Sequence, residues 1–222
     1  MTPPLAIDID GTLSRADRSI DPRVFDVLRE WDAPVVIATG KALPFPIALS
    51  QFVGVPERVV AENGGVAVVD DELFVHGDRT AADAVAAAYR EAGYDLGWGE
   101  LDFANRWRET EVAVSLDAPL APLERIAGEH GLEVVDTGFA YHVKSPAVDK
   151  GIALEDVADG LGFDTSEFVA VGDSENDVGM LEVAGDAYAV ANADEDAKAA
   201  ADVVTEGACA DGFLEAVAAI TA

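Results

Sequence analysis

The chain alternates short, almost wholly apolar runs with longer stretches of mixed character. Leu5-Ala6-Ile7, Pro34-Val35-Val36-Ile37-Ala38, Val59-Val60-Ala61 after Arg58, Phe168-Val169-Ala170-Val171 and Ala187 to Val190 are too short for helices and show no polar face. That is the pattern of strands buried on both sides of a parallel sheet. Helical segments fall between them. Asp21-Pro22 supplies an N-cap and a first-turn proline for a helix through Trp31, a helix begins near Lys150, another from about Glu175, and alanine-rich helices close the chain. Val66–Val69 and Leu73–Val75 flank Asp70-Asp71-Glu72, a predicted hairpin. Strand and helix in alternation predict an α/β fold with a Rossmann-like parallel sheet.

Between residues 79 and 146 the rhythm changes. An alanine-rich helix (Thr80–Ala92) leads to an alternating strand (Glu111–Leu116), a helix near Leu120–His130, and strands at Leu132–Val135 and Phe139–Lys144. Helix, strand, helix, strands describe a small α+β unit with an antiparallel sheet. The predicted organisation is a core from residues 1–78 and 147–222, interrupted by an inserted unit at 79–146.

Composition narrows the class. Half of the 222 residues are hydrophobic, enough for a sizeable core. No basic segment followed by an apolar one opens the chain, and no apolar run approaches the length of a membrane span, which predicts a cytoplasmic protein without a membrane partner. The single cysteine, Cys209, cannot form an internal disulfide and has no nearby histidine. Against 14 basic residues stand 43 acidic ones, a formal net charge of -29 spread along the whole chain. Such a surface repels nucleic acid and anionic lipid. Only Lys41, Lys144, Lys150 and Lys198 are lysines. This acidic, lysine-poor composition resembles that of proteins from salt-accumulating halophiles.

Chemistry gathers where the apolar runs end. Asp8-Ile9-Asp10-Gly11-Thr12-Leu13 follows the first strand and Gly172-Asp173-Ser174-Glu175-Asn176-Asp177 follows Val171, at the sheet edge where open α/β folds bind ligands. Carboxylates brought together there repel one another unless a cation intervenes, and an all-oxygen donor set points to Mg²⁺. Asp8 has the chemistry of a nucleophile toward phosphorus and Asp10 that of an acid and base; if the chain stays extended, the two share a face. Taken alone, an Asp-x-Asp more often caps a turn. Thr39 offers a hydroxyl and a backbone N–H to a phosphate oxygen and Gly40 permits close approach; alone, Thr39 reads as a helix cap. Lys150 lies near a helix N-terminus, a poor place for a cation unless it is paired with a carboxylate and a phosphate. Asp173 and Asp177 are spaced to converge on one metal, with Ser174 and Asn176 able to support them by hydrogen bonds. His76, His130 and His142 lack a nucleophile context and are expected in loops or strands.

The four motifs, in this order and at these strand and helix ends, resemble those of the haloacid dehalogenase-like phosphohydrolase superfamily over essentially the full length. The resemblance implies Asp8 as nucleophile and metal ligand, Asp10 as acid/base that also offers its backbone carbonyl to Mg²⁺, Thr39, Gly40, Lys150 and Asn176 as substrate-binding residues, and Asp173 with Asp177 as metal carboxylates. It implies that the insert at 79–146 is the superfamily's α+β cap, near its smallest form. Lys41 departs from the family pattern, in which Arg more often follows Thr-Gly; an ammonium lacks the bidentate fork, so no specific phosphate contact is assigned to it. The small cap, the Glu62-Asn63-Gly64-Gly65 turn and the length are most similar to archaeal phosphoglycolate phosphatases, which makes 2-phosphoglycolate the first of the small phosphorylated metabolites expected as substrate. A sugar-phosphate phosphatase or phosphotransferase, or a non-catalytic binding protein on the same scaffold, remain the alternatives. In the insert, Arg106 and Arg108 flank Trp107; either could read a substrate carboxylate, though strand residues paired with surface acids is the preferred reading. The chain is expected to act as a monomer or homodimer.

A net charge of -29 on a domain of this size predicts that the fold needs salt, because the Debye length shrinks from about 10 Å at 0.1 M to about 3 Å at 1 M. The thermal midpoint, followed by circular dichroism at fixed Mg²⁺, is expected to climb steadily from low-millimolar to molar KCl. A midpoint independent of KCl would reject the reading.

Overall fold

In the computed structural model, which describes residues 2–221, β1 (Leu5–Ile7) occupies the interior of an eight-stranded sheet. On one side lie β2 (Val35–Ala38) and β3 (Val59–Ala61); on the other lie β9 (Val169–Gly172), β10 (Asp186–Ala189) and β11 (Val203–Val204), all parallel to β1. Past β3 the sheet continues antiparallel through β4 (Val66–Val69) and β5 (Glu72–Val75), the predicted hairpin. β1 is thus where strand order turns back on itself, with β2 on one flank and β9 on the other. In a doubly wound sheet such a switch point opens a crevice at the carboxyl ends of the strands.

Both faces of the sheet are covered, as the wholly apolar strands require. Ala6, Val36, Val60 and Ala170 pack under Leu154 and Val157 of α5 (Lys150–Leu161), Met180 of α6 (Val178–Val183) and Ala197 of α7 (Glu195–Ala200). Leu5, Ile7, Val169 and Val171 face Val24 and Leu28 of α1 (Arg23–Arg29), Val53 of α2 (Pro44–Val53) and Phe213 of α8 (Ala210–Ile220). Each fully buried side chain of this size contributes about 1.5–3 kcal/mol. Among the described residues no helix is long and apolar enough to cross a membrane.

A second, three-stranded antiparallel sheet has the order β6 (Val112–Val114), β8 (Tyr141–Lys144), β7 (Glu133–Asp136). α3 (Arg79–Glu91) and α4 (Leu120–Glu129) cover it through Ala82, Val85, Ala86 and Tyr89 on one helix and Leu123, Ile126 and Ala127 on the other. Asp78 caps α3 by accepting hydrogen bonds from the Thr80 and Ala81 amides.

Several expectations are corrected. β6 shows no half-exposed alternation: Val112, Ala113 and Val114 are all buried, because the segment before the strand folds over it. The Asn105 side-chain amide exchanges both hydrogen bonds with the Ala113 backbone, and Trp98 Nε1 donates to Ala113 O at 2.8 Å, which protects an edge strand. β8 begins at Tyr141, Phe139 lying in the turn before it. α1 stops at Arg29, short of Trp31. The helix expected from Glu175 opens as a 3-10 turn, Glu175–Asp177. The two-residue β11 carries no detectable sequence pattern. Residues 1 and 222, assigned to the core by the division at 78 and 147, lie outside the described residues.

The two sheets meet across a polar seam. The turn Glu62–Gly64 holds three successive residues at positive φ, 53°, 54° and 96°, and so presents the Glu62 carboxylate to the chain entering β6. That carboxylate accepts the Glu109 and Thr110 amides at 2.9–3.0 Å and the Thr110 hydroxyl at 2.7 Å. Asn63 donates to Glu111 at 2.9 Å and Arg108 to Gly40 O at 2.9 Å. Burial, then the neighbouring Glu111 charge, raises the Glu62 carboxyl above its ordinary range against these donors.

At Gly64 a Cβ would overlap the Asp149 carbonyl, and the left-handed backbone adds strain. Gly64→Ala is expected to cost about 2–4 kcal/mol in denaturant unfolding at molar KCl. Gly93 has a similar φ, 91°, with open space around it; Gly93→Ala should cost only about 1 kcal/mol.

Candidate active site

The backbone gathers the carboxylates. Asp8 extends the β1 ladder, donating its amide to Val171 O at 3.1 Å, so its side chain emerges at the carboxyl end of the switch-point strand. The chain then turns at Gly11, φ 82°, where any Cβ would overlap the Asp173 carboxylate. Asp173 follows β9, the parallel neighbour. Gly172 leaves room for Asp177, whose Oδ2 accepts the Asp173 and Ser174 amides at 2.9 and 3.1 Å. One oxygen from each of Asp8, Asp173 and Asp177 lies within 4.8 Å of the others.

Lys150, fully buried in the first turn of α5, reaches Asp8 Oδ1 at 2.7 Å and Asp177 Oδ1 at 2.5 Å. Both carboxylates raise its ammonium above the usual lysine range despite burial. Burial raises the Asp8 carboxyl most; Lys150 pulls it down, but Asp177 and Asp10 push it up, leaving it at about 7. Asp173, which has no ion-pair partner among the described residues, is raised to about 9 by burial, Asp8 and Asp177, and Thr12 donates to it at 3.2 Å. Three convergent hard-oxygen ligands with excess negative charge suit a divalent cation.

Asp10 is not part of that cluster. The Gly11 turn directs its half-exposed carboxylate to Lys41, with Nζ at 2.7 Å. Lys41 Nζ also lies 4.5 Å from the centre of the Phe139 ring, and Arg18 reaches the same ring at 5.1 Å. The turn before β8 therefore rests on the main sheet's cations. Thr39 is buried, and its backbone N–H is not free as expected: β2's ladder continues through it to Val60 O at 2.8 Å. Its hydroxyl accepts from the Lys41 amide at 3.2 Å, leaving the hydroxyl proton to be donated. Asn176 donates to Asn63 Oδ1 at 2.8 Å and accepts from the Ser174 hydroxyl at 2.6 Å.

These elements border a cleft lined by Asp8, Asp10, Gly40, Lys41, Thr137, Phe139, His142, Ser174 and Asn176. Thr137 and Phe139 carry no sequence signal for this site, Lys41 has no phosphate contact assigned from the sequence, and His142, on a strand as expected, also lines the cleft. The preferred reading of Arg106 and Arg108 as strand residues paired with surface acids is corrected. Both sit in a turn segment, with Arg106 exposed and Arg108 buried against Glu111, Gly40 O and Ala104 O, and neither lines the cleft. Glu111 also takes His142 Nδ1 at 2.7 Å. Burial raises its carboxyl, but His142 and Arg108 together bring it to about 2.

A family model for haloacid dehalogenase-like hydrolases matches residues 5–90 and 129–217. A Halobacterium salinarum protein named phosphoglycolate phosphatase is 62% identical over 97% of this chain and 96% of its own length. One of the same name from Archaeoglobus fulgidus is 39% identical over 96% of this chain and 94% of its own. The solved structure of Thermoplasma acidophilum 0175 covers 100% of this chain and 99% of its own with a TM-score of 0.87 at 23% identity, a likeness of fold.

The raised carboxyls of Asp8 and Asp173 make the cation-free protein's stability depend on pH. A folded-state pKa above the unfolded one contributes stability that is complete below about pH 4 and is lost as pH rises through about 7 and about 9. Without a divalent cation the calorimetric midpoint at fixed KCl is expected to fall across that window. Mg²⁺ should raise it, most at the alkaline end, by favouring the ionised carboxylates. A midpoint at pH 8 indifferent to Mg²⁺ would argue against a cation site here.

Proposed function

The chain belongs to the haloacid dehalogenase-like hydrolase family, and on that premise we propose that it hydrolyses a small phosphate monoester, 2-phosphoglycolate, through a phosphorylated Asp8. The observation that carries the reading is the setting of Asp8: Oδ1 is held by Lys150, Oδ2 accepts no hydrogen bond among the described residues, and the residue faces the cleft. The names of the Halobacterium and Archaeoglobus relatives supply the substrate.

In this reading Asp8 attacks phosphorus, forming a carboxyl oxygen to phosphorus bond as the ester P–O bond breaks. Asp10 gives its proton to the departing alkoxide, then removes one from the water that attacks the phosphorylated Asp8, releasing phosphate and restoring the carboxylate. Asp10 pairs with Lys41; an incoming anion competes for that ammonium and frees the carboxyl to carry a proton. The Thr39 hydroxyl proton and the third N–H of Lys150, two being used by Asp8 and Asp177, are left for phosphate oxygens. Asn176 and Gly40 border the same space. Asp8, Asp173 and Asp177, with the Asp10 carbonyl, would hold Mg²⁺, which when bound neutralises charge gathering on the phosphoryl oxygens. Residues 79–146 act as the cap, a reading supported by the Phe139 turn lying over Lys41 and by His142 lining the cleft.

Asp8→Asn is expected to lower phosphate release from 2-phosphoglycolate by about four orders of magnitude or more, measured in molar KCl with Mg²⁺, while circular dichroism stays unchanged. The amide still accepts from Lys150 but cannot attack phosphorus. Near-wild-type turnover would exclude the aspartyl-phosphate route.

A further inference from the structure

We propose that His142 is the specificity-determining residue of the cleft, its Nε2 edge binding a carboxylate one or two carbons away from the phosphate; this rests on the phosphate-monoester reading above. The residue lies on β8, the middle strand of the small sheet, paired with Ala113 on one side and Val135 on the other. It is buried except where it meets the cleft. Glu111 binds Nδ1 at 2.7 Å and is itself fixed by Arg108 and by Asn63 at 2.9 Å, so the ring cannot swing.

Glu111 stays ionised beside it, which makes Nδ1 a donor. With Nδ1 committed to Glu111, Nε2 is the ring atom left to face the cleft that His142 lines with Asp8 and Asp10. Nε2 has no partner among the described residues. Lys41, the other basic residue lining the cleft, holds Asp10 until the phosphate end of the ligand competes for it. With Lys41 engaged by the phosphate end, His142 is the side chain left for a second anionic group. His142 and Asp8 line one cleft, so the two anionic groups would belong to one small molecule. A buried donor built for a carboxylate rejects a ligand lacking one, because the donor is then left unpaired.

The test compares 2-phosphoglycolate with 2-hydroxyethyl phosphate, which replaces the carboxylate by a neutral end, in molar KCl with Mg²⁺. His142→Asn keeps an amide N–H where Nδ1 meets Glu111 and removes Nε2; His142→Gln keeps a neutral donor near Nε2. The acid-over-neutral ratio of kcat/KM is expected to fall about tenfold to a hundredfold in His142→Asn, mostly through KM, and less in His142→Gln. An unchanged ratio, or equal losses on both esters, overturns the assignment. Calorimetric binding of both esters to Asp8→Asn protein, with and without His142→Asn, separates this from the reading beneath it. If the wild type turns over neither ester, the hydrolase reading fails, yet loss of acid preference in binding still supports His142 and its persistence still overturns it. Circular dichroism verifies folding; should the Asn variant unfold, the Gln variant carries the same comparison.

Discussion

Three carboxylates converge where β1 and β9 end, and their mutual repulsion is opposed by one ammonium, Lys150, placed between Asp8 and Asp177. Desolvating such charges costs several kcal/mol per ion, so the arrangement depends on Lys150 pairing both Asp8 and Asp177. The local backbone is shaped around it. Gly11 and Gly172 leave space for Asp173 and Asp177, and Gly64 leaves space for the Asp149 carbonyl that begins the helix carrying Lys150. Removing the ammonium would leave uncompensated buried charge at the centre of the sheet. What the pairing leaves over, the raised carboxyl of Asp173, is the excess negative charge that a cation would answer.

The small sheet is attached to this centre by polar contacts. Glu62 grips the chain entering β6, Arg108 reaches Gly40 O, and Glu111 links His142 to Asn63. Asn63 in turn accepts from Asn176, within the loop that holds Asp173 and Asp177. Directional bonds of this kind fix the register between two units more sharply than an apolar contact of equal area, because each buried donor or acceptor left unmatched costs about 1–3 kcal/mol. The wall of the cleft contributed by the small sheet is thereby tied to the wall contributed by the core.

The shortage of cations makes their placement informative. Of the four lysines, Lys150 is fully buried, Lys144 is nearly so and pairs with Glu133, and Lys41 lies in the cleft. Arg79 and Arg108 serve the seam. A surface carrying this much negative charge is soluble and self-repelling, tolerable where salt screens it, and the Halobacterium salinarum relative agrees with such a setting. Lys41, Lys144 and Lys150 each neutralise a specific carboxylate.

The sequence by itself determined the alternation of buried strands and helices, the hairpin, the change of rhythm near residue 79 and the polar clusters at strand ends. These are local properties: a strand buried on both faces must be apolar throughout, and the residue following it must lie at the sheet edge. Only the tertiary structure decided which groups meet. Asp8 and Asp177 are brought to one ammonium from 142 and 27 residues away. Asp10 is turned toward Lys41 by Gly11, and the Thr39 amide is claimed by Val60. His142 and Phe139 come to the cleft because of how the small sheet is docked, and Arg108 is drawn into the seam for the same reason. Periodicity tells which face of a strand is buried, but burial against a core and burial against a cleft leave the same mark on the sequence. The difference is set by contacts between distant segments.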